Sequence, residues 1–427
     1  MPGSWAFGHL SNFLGAGFLV LSYAATSLIF ATLPTPKVCR DLPVIGGGYD
    51  CDSRRGVAYF RPGSVLALGV GLAGHNALTT WQLFCGGGRG WGGGIVTWSS
   101  SPVTTAWAIA VTGRRERVPG RCMRAVHDAG EPSVPVRPAA TGKQRNAWQA
   151  HDEVKRVVLF IWTLVVLTFA WFIGVVVAQD ALRRQCDPLG DGADIIDSCT
   201  NYYVGKNWSL LPDTGGVTGL VKITLMNDGG GQSQGPVLGY AGAFAVVFVM
   251  IMGFQSVLTM GLHCAELIVT TSRDEDLWRR AAGPNGITEV GALRIVLRSW
   301  KSIVLLVLKP VIHWLFGLAM TFYIGWGVLM RPPQILYLCI SVLVIAVFTT
   351  YLCVWGPKGP QPATFGHVQT LLDLADEWSE HLFWGQKGES VGDVWHAGTS
   401  DERLEPVRLD RVYAGSKLSE AMYCVST

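Results

Sequence analysis

Four long apolar stretches dominate the pattern of hydrophobic and polar positions along this chain. They cover residues 157–178, 237–262, 303–330 and 335–355, and each is almost free of charged side chains. An α-helix rises about 1.5 Å per residue, so roughly 20 apolar residues cross the hydrocarbon core of a membrane. The pattern therefore predicts four membrane-spanning helices.

Two weaker apolar stretches precede these four. Residues 13–33 are uncharged but contain several hydroxyl side chains, and residues 64–84 carry His75 and Asn76 near their middle. Polar groups inside a membrane are costly unless they face protein. We interpret both stretches as spans, which predicts an all-α, polytopic transmembrane helix bundle of about six spans. Because residues 1–12 contain no Lys or Arg, a signal anchor at 13–33 fits better than the alternative, a cleaved signal peptide.

The segment 85–146 interrupts this apolar pattern. It opens with a glycine-rich run at 86–94 and then becomes rich in arginine and proline. Glycine at this density loses much backbone entropy on folding and offers no side chains to pack, so we expect a flexible loop. Residues 95–111 are apolar enough to suggest a further span, but Pro102 and the hydroxyl side chains argue against a crossing. A wrongly assigned intron or reading frame is an alternative explanation for this segment.

The C-terminal tail, residues 356–427, has eleven acidic and six basic residues and a net charge of −5. Within 363–384, apolar residues recur at helical spacing and predict a short amphipathic helix. They are Val368, Leu371, Leu372, Ala375, Trp378 and Leu382. An acidic helix is repelled by anionic lipid, so we expect it to dock on the basic loops or to bind a cytosolic protein partner.

Composition supports a membrane protein. The 427 residues are 49% hydrophobic and only 15% charged, whereas soluble domains have about 25% charged residues. The net charge of +3 gives no basic footprint for nucleic acid, so we expect membrane lipids and no nucleic acid among the partners.

The distribution of basic residues predicts the orientation. Residues 85–156 have a net charge of +6, and residues 263–302 contain six further basic side chains. Lys and Arg near span ends mark the cytosolic side, which places both termini in the cytosol. Five basic residues in the opposite loop, 34–63, disagree with this assignment. The predicted organisation is an N-terminal pair of spans (1–84), a basic linker (85–156), a four-span core (157–355) and the acidic tail.

Cysteines and one sequon provide an independent check on this orientation. Cys39 and Cys51 fall in one predicted extracytosolic loop, and Cys186 and Cys199 fall in the next. Paired cysteines suit an oxidising compartment, although reduced thiols remain the alternative. The sequence Asn207-Trp208-Ser209 is a candidate glycosylation site on the same side.

Polar residues inside the predicted spans are the candidate functional site. Lys309 and His313 lie four residues apart and therefore on one helical face; His75 and Asn76 lie in the second span. Intramembrane ionisable groups are candidates for solute binding. A lysine whose long side chain reaches the headgroups and a histidine packed in the bundle are the alternative.

The sequence favours no catalytic, cofactor or metal site. Residues 69–74 spell G-x-G-x-x-G, but they lie inside an apolar span and lack the acidic residue that dinucleotide binding requires about 20 positions later. Close helix packing explains these glycines better. His263 and Glu266 share a helical face without the further ligands that a metal needs, so we expect no enzymatic activity.

Several segments resemble a group of uncharacterised multi-pass membrane proteins of filamentous fungi. They are 261–267 (GLHCAEL), 272–275 (SRDE), 309–317 (KPVIHWLFG), 359–367 (GPQPATFGH), 371–378, 396–400 (HAGTS) and, more weakly, 61–66. The resemblance covers roughly the C-terminal half, excludes 85–146, and implies a membrane location without an assigned activity.

Two function classes follow. The first is a structural or signalling component of the plasma membrane or an endomembrane, with a partner-binding tail at 363–384. The alternative is a transporter or channel for a small solute or ion, lined by the polar residues of the spans.

Overall fold

The computed structural model divides into two compact units, and each of the long apolar helices contributes residues to both of them. Unit 1 comprises Met1–Gly94, Trp162–Leu262 and Leu308–Ile345, and unit 2 comprises Ile95–Ile161, His263–Val307 and Ala346–Thr427. The residues that the structure describes are 8–33, 39–40, 50–51, 57–60, 62–87, 101–113, 118, 121–128, 130, 134–138, 143–186, 221–223, 240–288, 296–323, 327–379, 381–391 and 393–415.

Most described residues are helical. In chain order the helices are α1 (His9–Leu28), α2 (Pro62–Gly87), α3 (Pro102–Val111), α4 (Ala147–Ala150), α5 (Asp152–Cys186), α6 (Tyr240–Arg280), α7 (Trp300–Ala319), α8 (Pro332–Val354) and α9 (Val368–Leu374). The strands are β1 (Phe30–Leu33), β2 (Cys39–Arg40), β3 (Asp50–Cys51), β4 (Val57–Phe60), β5 (Val221–Ile223), β6 (Ile287–Thr288), β7 (Met320–Tyr323), β8 (Gly327–Met330), β9 (His381–Val391), β10 (Val394–Ser400) and β11 (Val412–Tyr413).

Four described helices are long and apolar enough to cross a membrane. Their apolar portions are Asp152–Ala181, Ala245–Arg280, Trp300–Ala319 and Pro332–Val354, of 30, 36, 20 and 23 residues. The four strong sequence predictions are thus confirmed as apolar helices. α1 and α2 occupy the two weaker stretches but are not among these four helices.

Two of the predicted spans end elsewhere in the structure. The apolar stretch 303–330 is helical only to Ala319, after which β7 and β8 form an antiparallel hairpin, with β5 as the third strand. The run Thr321-Phe322-Tyr323 favours a strand, and glycines at 325 and 327 favour a turn. In contrast, α6 continues beyond residue 262 to Arg280, because charged residues end the apolar surface without ending the helix.

In unit 1, α1 and α2 pack through small residues. A Cβ atom built on Gly71 would lie 2.5 Å from the hydroxyl oxygen of Ser22 and 3.1 Å from the carbonyl oxygen of Phe18. Only glycine permits this approach. The interpretation of residues 69–74 as a packing motif is therefore confirmed at Gly71, whereas nothing crowds Gly69.

Unit 2 contains a small sheet, so the expectation of an all-α protein was wrong for the tail. The strand order is β11-β10-β9-β6; β9 is antiparallel to both β10 and β6, and β11 is parallel to β10. Its core includes Trp278 from α6, Leu371 from α9, Trp384 from β9 and Tyr413 from β11. Burial of such aromatic and aliphatic groups is the main force that holds these distant segments together.

The predicted amphipathic helix in 363–384 is shorter than expected. Only Val368–Leu374 is helical, and His381 already begins β9. Leu371, Leu372 and Leu374 are buried as the periodicity predicts. Asp373, which the helical pattern placed on another face, is fully buried as well, so the acidic character of this helix lies partly inside the fold.

Part of the predicted flexible linker is folded into unit 2. Tyr413 and Val136 exchange two backbone hydrogen bonds of 2.8 and 2.9 Å, and the N–H of Gln144 donates to the carbonyl of Pro357 at 3.0 Å. Within the apolar stretch 95–111, the described part forms α3, a helix of ten residues. Among the described residues of 101–150, the expected loop is thus a structural part of the same unit as the tail.

Candidate functional site

Among the polar residues predicted inside the spans, His313 has contacts to several other side chains. In unit 1, the His313 ring stacks on Tyr23 with centroids 4.0 Å apart, and its Nδ1 lies 3.1 Å from Oε1 of the buried Gln255. Lys309 is partly buried, whereas His75 and Asn76 are exposed on α2. The structure therefore places His313 in a polar cluster that the sequence did not predict.

The backbone brings Cys39 and Cys51 face to face. They are directly opposite each other in the antiparallel pair β2–β3 of unit 1. Opposite residues in such a pair have Cα atoms about 4.5–5.5 Å apart, within the range that a disulfide bridges. Cys186 is the last residue of α5, and Cys199 and Asn207 lie outside the described residues.

A cluster of three histidines in unit 2 is the best candidate for a functional site. The ring centroids of His127 and His151 are 4.5 Å apart, those of His127 and His367 are 4.9 Å apart, and those of His151 and His367 are 5.9 Å apart. His127 and His151 line a cavity of about 20 Å³, together with Asp128, Arg145, Thr364 and Thr370 among others. A cavity of this size holds about one water molecule.

Local hydrogen bonds hold each histidine of this cluster in place. His127 lies in a turn that Asp128 closes by accepting from the N–H of Ala125 at 2.7 Å. His151 ends α4, whose first turn is fixed by a capping box between Asn146 and Gln149.

His367 is the N-cap of α9, and its Nδ1 accepts from the N–H of Thr370 at 3.2 Å. The buried carboxylate of Glu275 accepts from the N–H groups of Thr364 and Phe365, both at 2.8 Å. Phe365 has a positive φ of 45°, a conformation that costs energy outside glycine, and these bonds stabilise the turn that leads into His367.

The surroundings of His151 oppose its protonation. Burial is the largest cause that lowers the pKa of His151 from 6.5 to about 4, and the neighbouring His127 and His367 contribute to the same decrease because a second positive charge would be repelled. The charged groups that line the cavity, Asp128 and Arg145, form an ion pair of 3.5 Å with each other. At neutral pH His151 is therefore held as a neutral imidazole within this cluster.

The cluster has the residue types of a zinc site but not its geometry. No group of three ligating side chains among the described residues is placed to hold a metal ion. Nδ1 of His367 is already used by Thr370, which leaves one nitrogen of that ring.

A second polar centre in unit 2 joins Asp376 and His396. Nε2 of His396 lies 3.0 Å from the carboxylate of Asp376, and Nδ1 lies 3.0 Å from the carbonyl oxygen of Ala414. Burial would lower the pKa of His396, but the hydrogen bond to Asp376, with those to Cys122 and Ala414, raises it to about 9. Burial alone would raise the pKa of Asp376, but the bonds from His396 and the backbone of Thr399 hold it well below its ordinary value.

This centre contains the residue types of a Cys–His–Asp triad but lacks the required base. Both ring nitrogens of His396 face oxygen acceptors, so both carry protons and the ring has no lone pair to activate the Cys122 thiol. Cys122 is also only 2% exposed. The arrangement is a buried ion pair that connects Asp376, two residues after α9, with His396 of β10.

Sequence reasoning missed both histidine centres because their members are far apart in the chain. His127, His151 and His367 form no spacing motif. The one available signal was the resemblance, whose segments contain Glu275, His367, Asp376 and His396. Those segments come together in unit 2.

No protein-family model matches this chain, and neither a curated protein nor a solved structure matches it. The functional interpretation therefore depends on the geometry described above.

Proposed function

We propose that this chain is a multi-pass integral membrane protein with unit 2 and both termini in the cytosol. Unit 2 contains the N-terminal turns of α5 and α7 and the C-terminal turns of α6 and α8. Helices that cross a membrane in alternate directions have these ends on the same side. The basic residues of 85–156 and 263–302 favour the cytosol for that side. We extend the proposal to α1 and α2 as two further spans.

Exposed tryptophans support a membrane boundary near these helix ends. Trp148 precedes α5 by four residues, Trp300 begins α7, and Trp355 directly follows α8. All three are exposed. Tryptophan is enriched at membrane–water interfaces because its apolar ring and polar N–H suit the headgroup level.

Within that membrane, we propose a structural or signalling role. The observation that carries it is that unit 2 is a folded platform that includes the ends of all four apolar helices. Polar contacts join its segments: Arg121 pairs with Asp373 at 3.1 Å, Lys301 pairs with Asp276 at 2.6 Å, and Arg279 donates to the carbonyl oxygen of Gln361 at 2.6 Å. Such a platform can hold a cytosolic partner at the membrane and connect it with the helices.

The segment 363–384 remains the proposed partner-binding region, and we propose that its polar surface contacts the partner. Its leucines are buried, whereas Glu377 is exposed. Further acidic residues of the tail, Asp401, Glu402, Glu405 and Asp410, are exposed too. We therefore propose a protein partner with a basic surface.

The orientation is tested by protease protection. The full chain, tagged at its C-terminus, is produced in sealed microsomes with and without the variant Asn207→Gln. We expect the tag to be digested in intact vesicles and Asn207 to account for any glycan. A tag that is protected until detergent is added would contradict the cytosolic assignment.

The partner is tested by proximity labelling from the same tag. For the wild type, we expect labelled neighbours with basic surfaces. The charge-reversed double variant Asp401→Lys, Glu402→Lys should lose these neighbours. The neutral double variant Asp401→Ser, Glu402→Ser should label the same neighbours at a lower level. An identical set of neighbours for the wild type and the charge-reversed protein would contradict binding at this surface.

A transporter or channel is the second candidate, and His313 is the observation that favours it. A histidine bonded to a buried glutamine within an apolar helix is a candidate for solute or proton binding. Thermal unfolding of the purified full chain with ions, amino acids and sugars tests this. A solute that stabilises the wild type but neither His313→Ala nor Lys309→Met would support transport; no stabilisation by any of them counts against it.

A further inference from the structure

Helix α3 of unit 2 is uncharged on every face, and its two polar side chains, Thr104 and Thr105, donate their hydroxyls to the carbonyl oxygen of Ser101. Its ten residues, Pro-Val-Thr-Thr-Ala-Trp-Ala-Ile-Ala-Val, include no charged side chain. A helix on the surface of a water-soluble domain has a polar outer face, whereas a helix that is apolar all round is covered on every side.

The structure explains only one face of this helix. Val103 and Ala106 are buried in the core of unit 2, and Ile109 and Ala110 pack against the same core. The neighbouring stripe of the helix presents Trp107 and Val111, which are four residues apart and 39% and 64% exposed. A tryptophan and a valine on one turn thus lack a protein cover within the described part of the chain.

We propose that this face of α3 lies in the headgroup region of the membrane that the apolar helices cross. This inference depends on the proposed function, because it requires unit 2 to be held at a bilayer. Unit 2 already presents Trp148, Trp300 and Trp355 at helix ends, so α3 would add a fourth tryptophan to the same interface. The short length fits, since ten residues are too few to cross the hydrocarbon core.

Charge in the adjoining sequence also selects a lipid surface. The residues that directly follow α3 in the chain include Arg114, Arg115 and Arg117, with Glu116 as the single acid. Stable attachment at a membrane surface generally combines an apolar insertion with basic residues that attract anionic lipid. A cytosolic leaflet that contains phosphatidylserine provides both an apolar layer for Trp107 and Val111 and negative charge for these arginines.

Photocrosslinking on the full-length protein tests this inference. The photoreactive residue p-benzoylphenylalanine replaces Trp107 or Val111, one at a time, and the protein is reconstituted in vesicles of phosphatidylcholine with or without phosphatidylserine. Leu167, exposed on α5, is the control within an apolar helix, and Leu409, exposed in the tail, is the control on unit 2. Limited proteolysis confirms that each variant keeps the folded unit.

We expect lipid adducts at positions 107, 111 and 167, none at 409, and a higher yield at 111 when phosphatidylserine is present. Adducts at 167 without adducts at 107 and 111 would overturn the inference while leaving the proposed function intact. Absence of adducts at 167 would instead overturn the proposed membrane crossing. Crosslinks from 107 or 111 to another protein chain, or equal lipid labelling at 409, would also overturn the inference.

Discussion

Acidification should weaken unit 2 through His151. In the folded chain the pKa of His151 is about 4, whereas an unfolded chain has a histidine pKa near 6.5. Below pH 6.5 the unfolded state therefore binds a proton that the folded state does not bind until about pH 4. The free energy of unfolding should fall as the pH is lowered across this window and should not fall further from this group below it.

The size of the effect follows from the difference in pKa. The difference between these two pKa values corresponds to at most about 3 kcal/mol. His151 is only partly buried, so solvent screening reduces this figure and we expect about 1–2 kcal/mol. His396 adds no slope in this window, because its pKa is raised and its contribution is already complete below pH 6.5. The variant His151→Gln separates the contribution of His151 from those of the carboxyl groups that titrate in the same window.

Hydrogen exchange followed by mass spectrometry measures this pH dependence of stability for individual segments of unit 2. Protection of peptides covering 143–151 and 363–375 in the detergent-solubilised full chain, corrected for the intrinsic pH dependence of exchange, gives the opening free energy between pH 7.5 and 4.5. The variant His151→Gln should lose most of the pH dependence. His263→Gln, which removes an exposed histidine paired with Glu266, should keep it. A slope that is unchanged in His151→Gln, or protection that rises on acidification, would refute the reasoning.

Four further outcomes are expected from the structure. Raising the pH from 6.5 through 9 should remove the stabilisation that protonated His396 provides, and His396→Gln should abolish that loss, as measured by urea unfolding of the full chain. Arg121→Ala should cost about 3 kcal/mol because the buried carboxylate of Asp373 loses its ion-pair partner and keeps the neutral donors Val118 N–H and Gln369, whereas Arg145→Ala, which breaks an exposed pair, should cost less than about 1 kcal/mol; equal costs would contradict the assignment. Gly71→Ala should lower the thermal stability by about 1–3 kcal/mol, and Gly69→Ala should not, since only the first crowds Ser22. Peptide mapping without reductant should find Cys39 joined to Cys51, and recovery of both as free thiols from secretory membranes would count against the pairing.

The apolar helices could be predicted because their signal is local. Hydropathy over about 20 residues identifies α5 to α8 without any knowledge of tertiary contacts. It does not locate their ends. At Ala319 an apolar helix gives way to apolar strands, and at residue 262 an apolar helix continues as a charged one, so hydropathy alone misplaces both boundaries.

The histidine cluster could not be predicted because it is a product of tertiary structure. His127 and His151 precede the four apolar helices in the chain, and His367 follows them. The three rings approach one another only after these distant segments have folded into one unit. The tail shows the same limit. Helical periodicity identified Leu371 and Leu372 as buried, but the burial of Asp373 depends on Arg121 and the N–H of Val118, which are more than 250 residues away in the chain.

That separation has a consequence for how the protein is made. Arg121 and Asp373 are 252 residues apart. At a synthesis rate of about 5–20 residues per second, the basic segment leaves the ribosome roughly 13–50 s before its acidic counterpart exists. If α5 to α8 cross a membrane as proposed, they are inserted during this interval, while unit 2 lacks its final segment. We then expect completion of unit 2 to follow insertion, and we expect a nascent chain truncated before residue 368 to be recognised by quality-control chaperones even when all four apolar helices are in place.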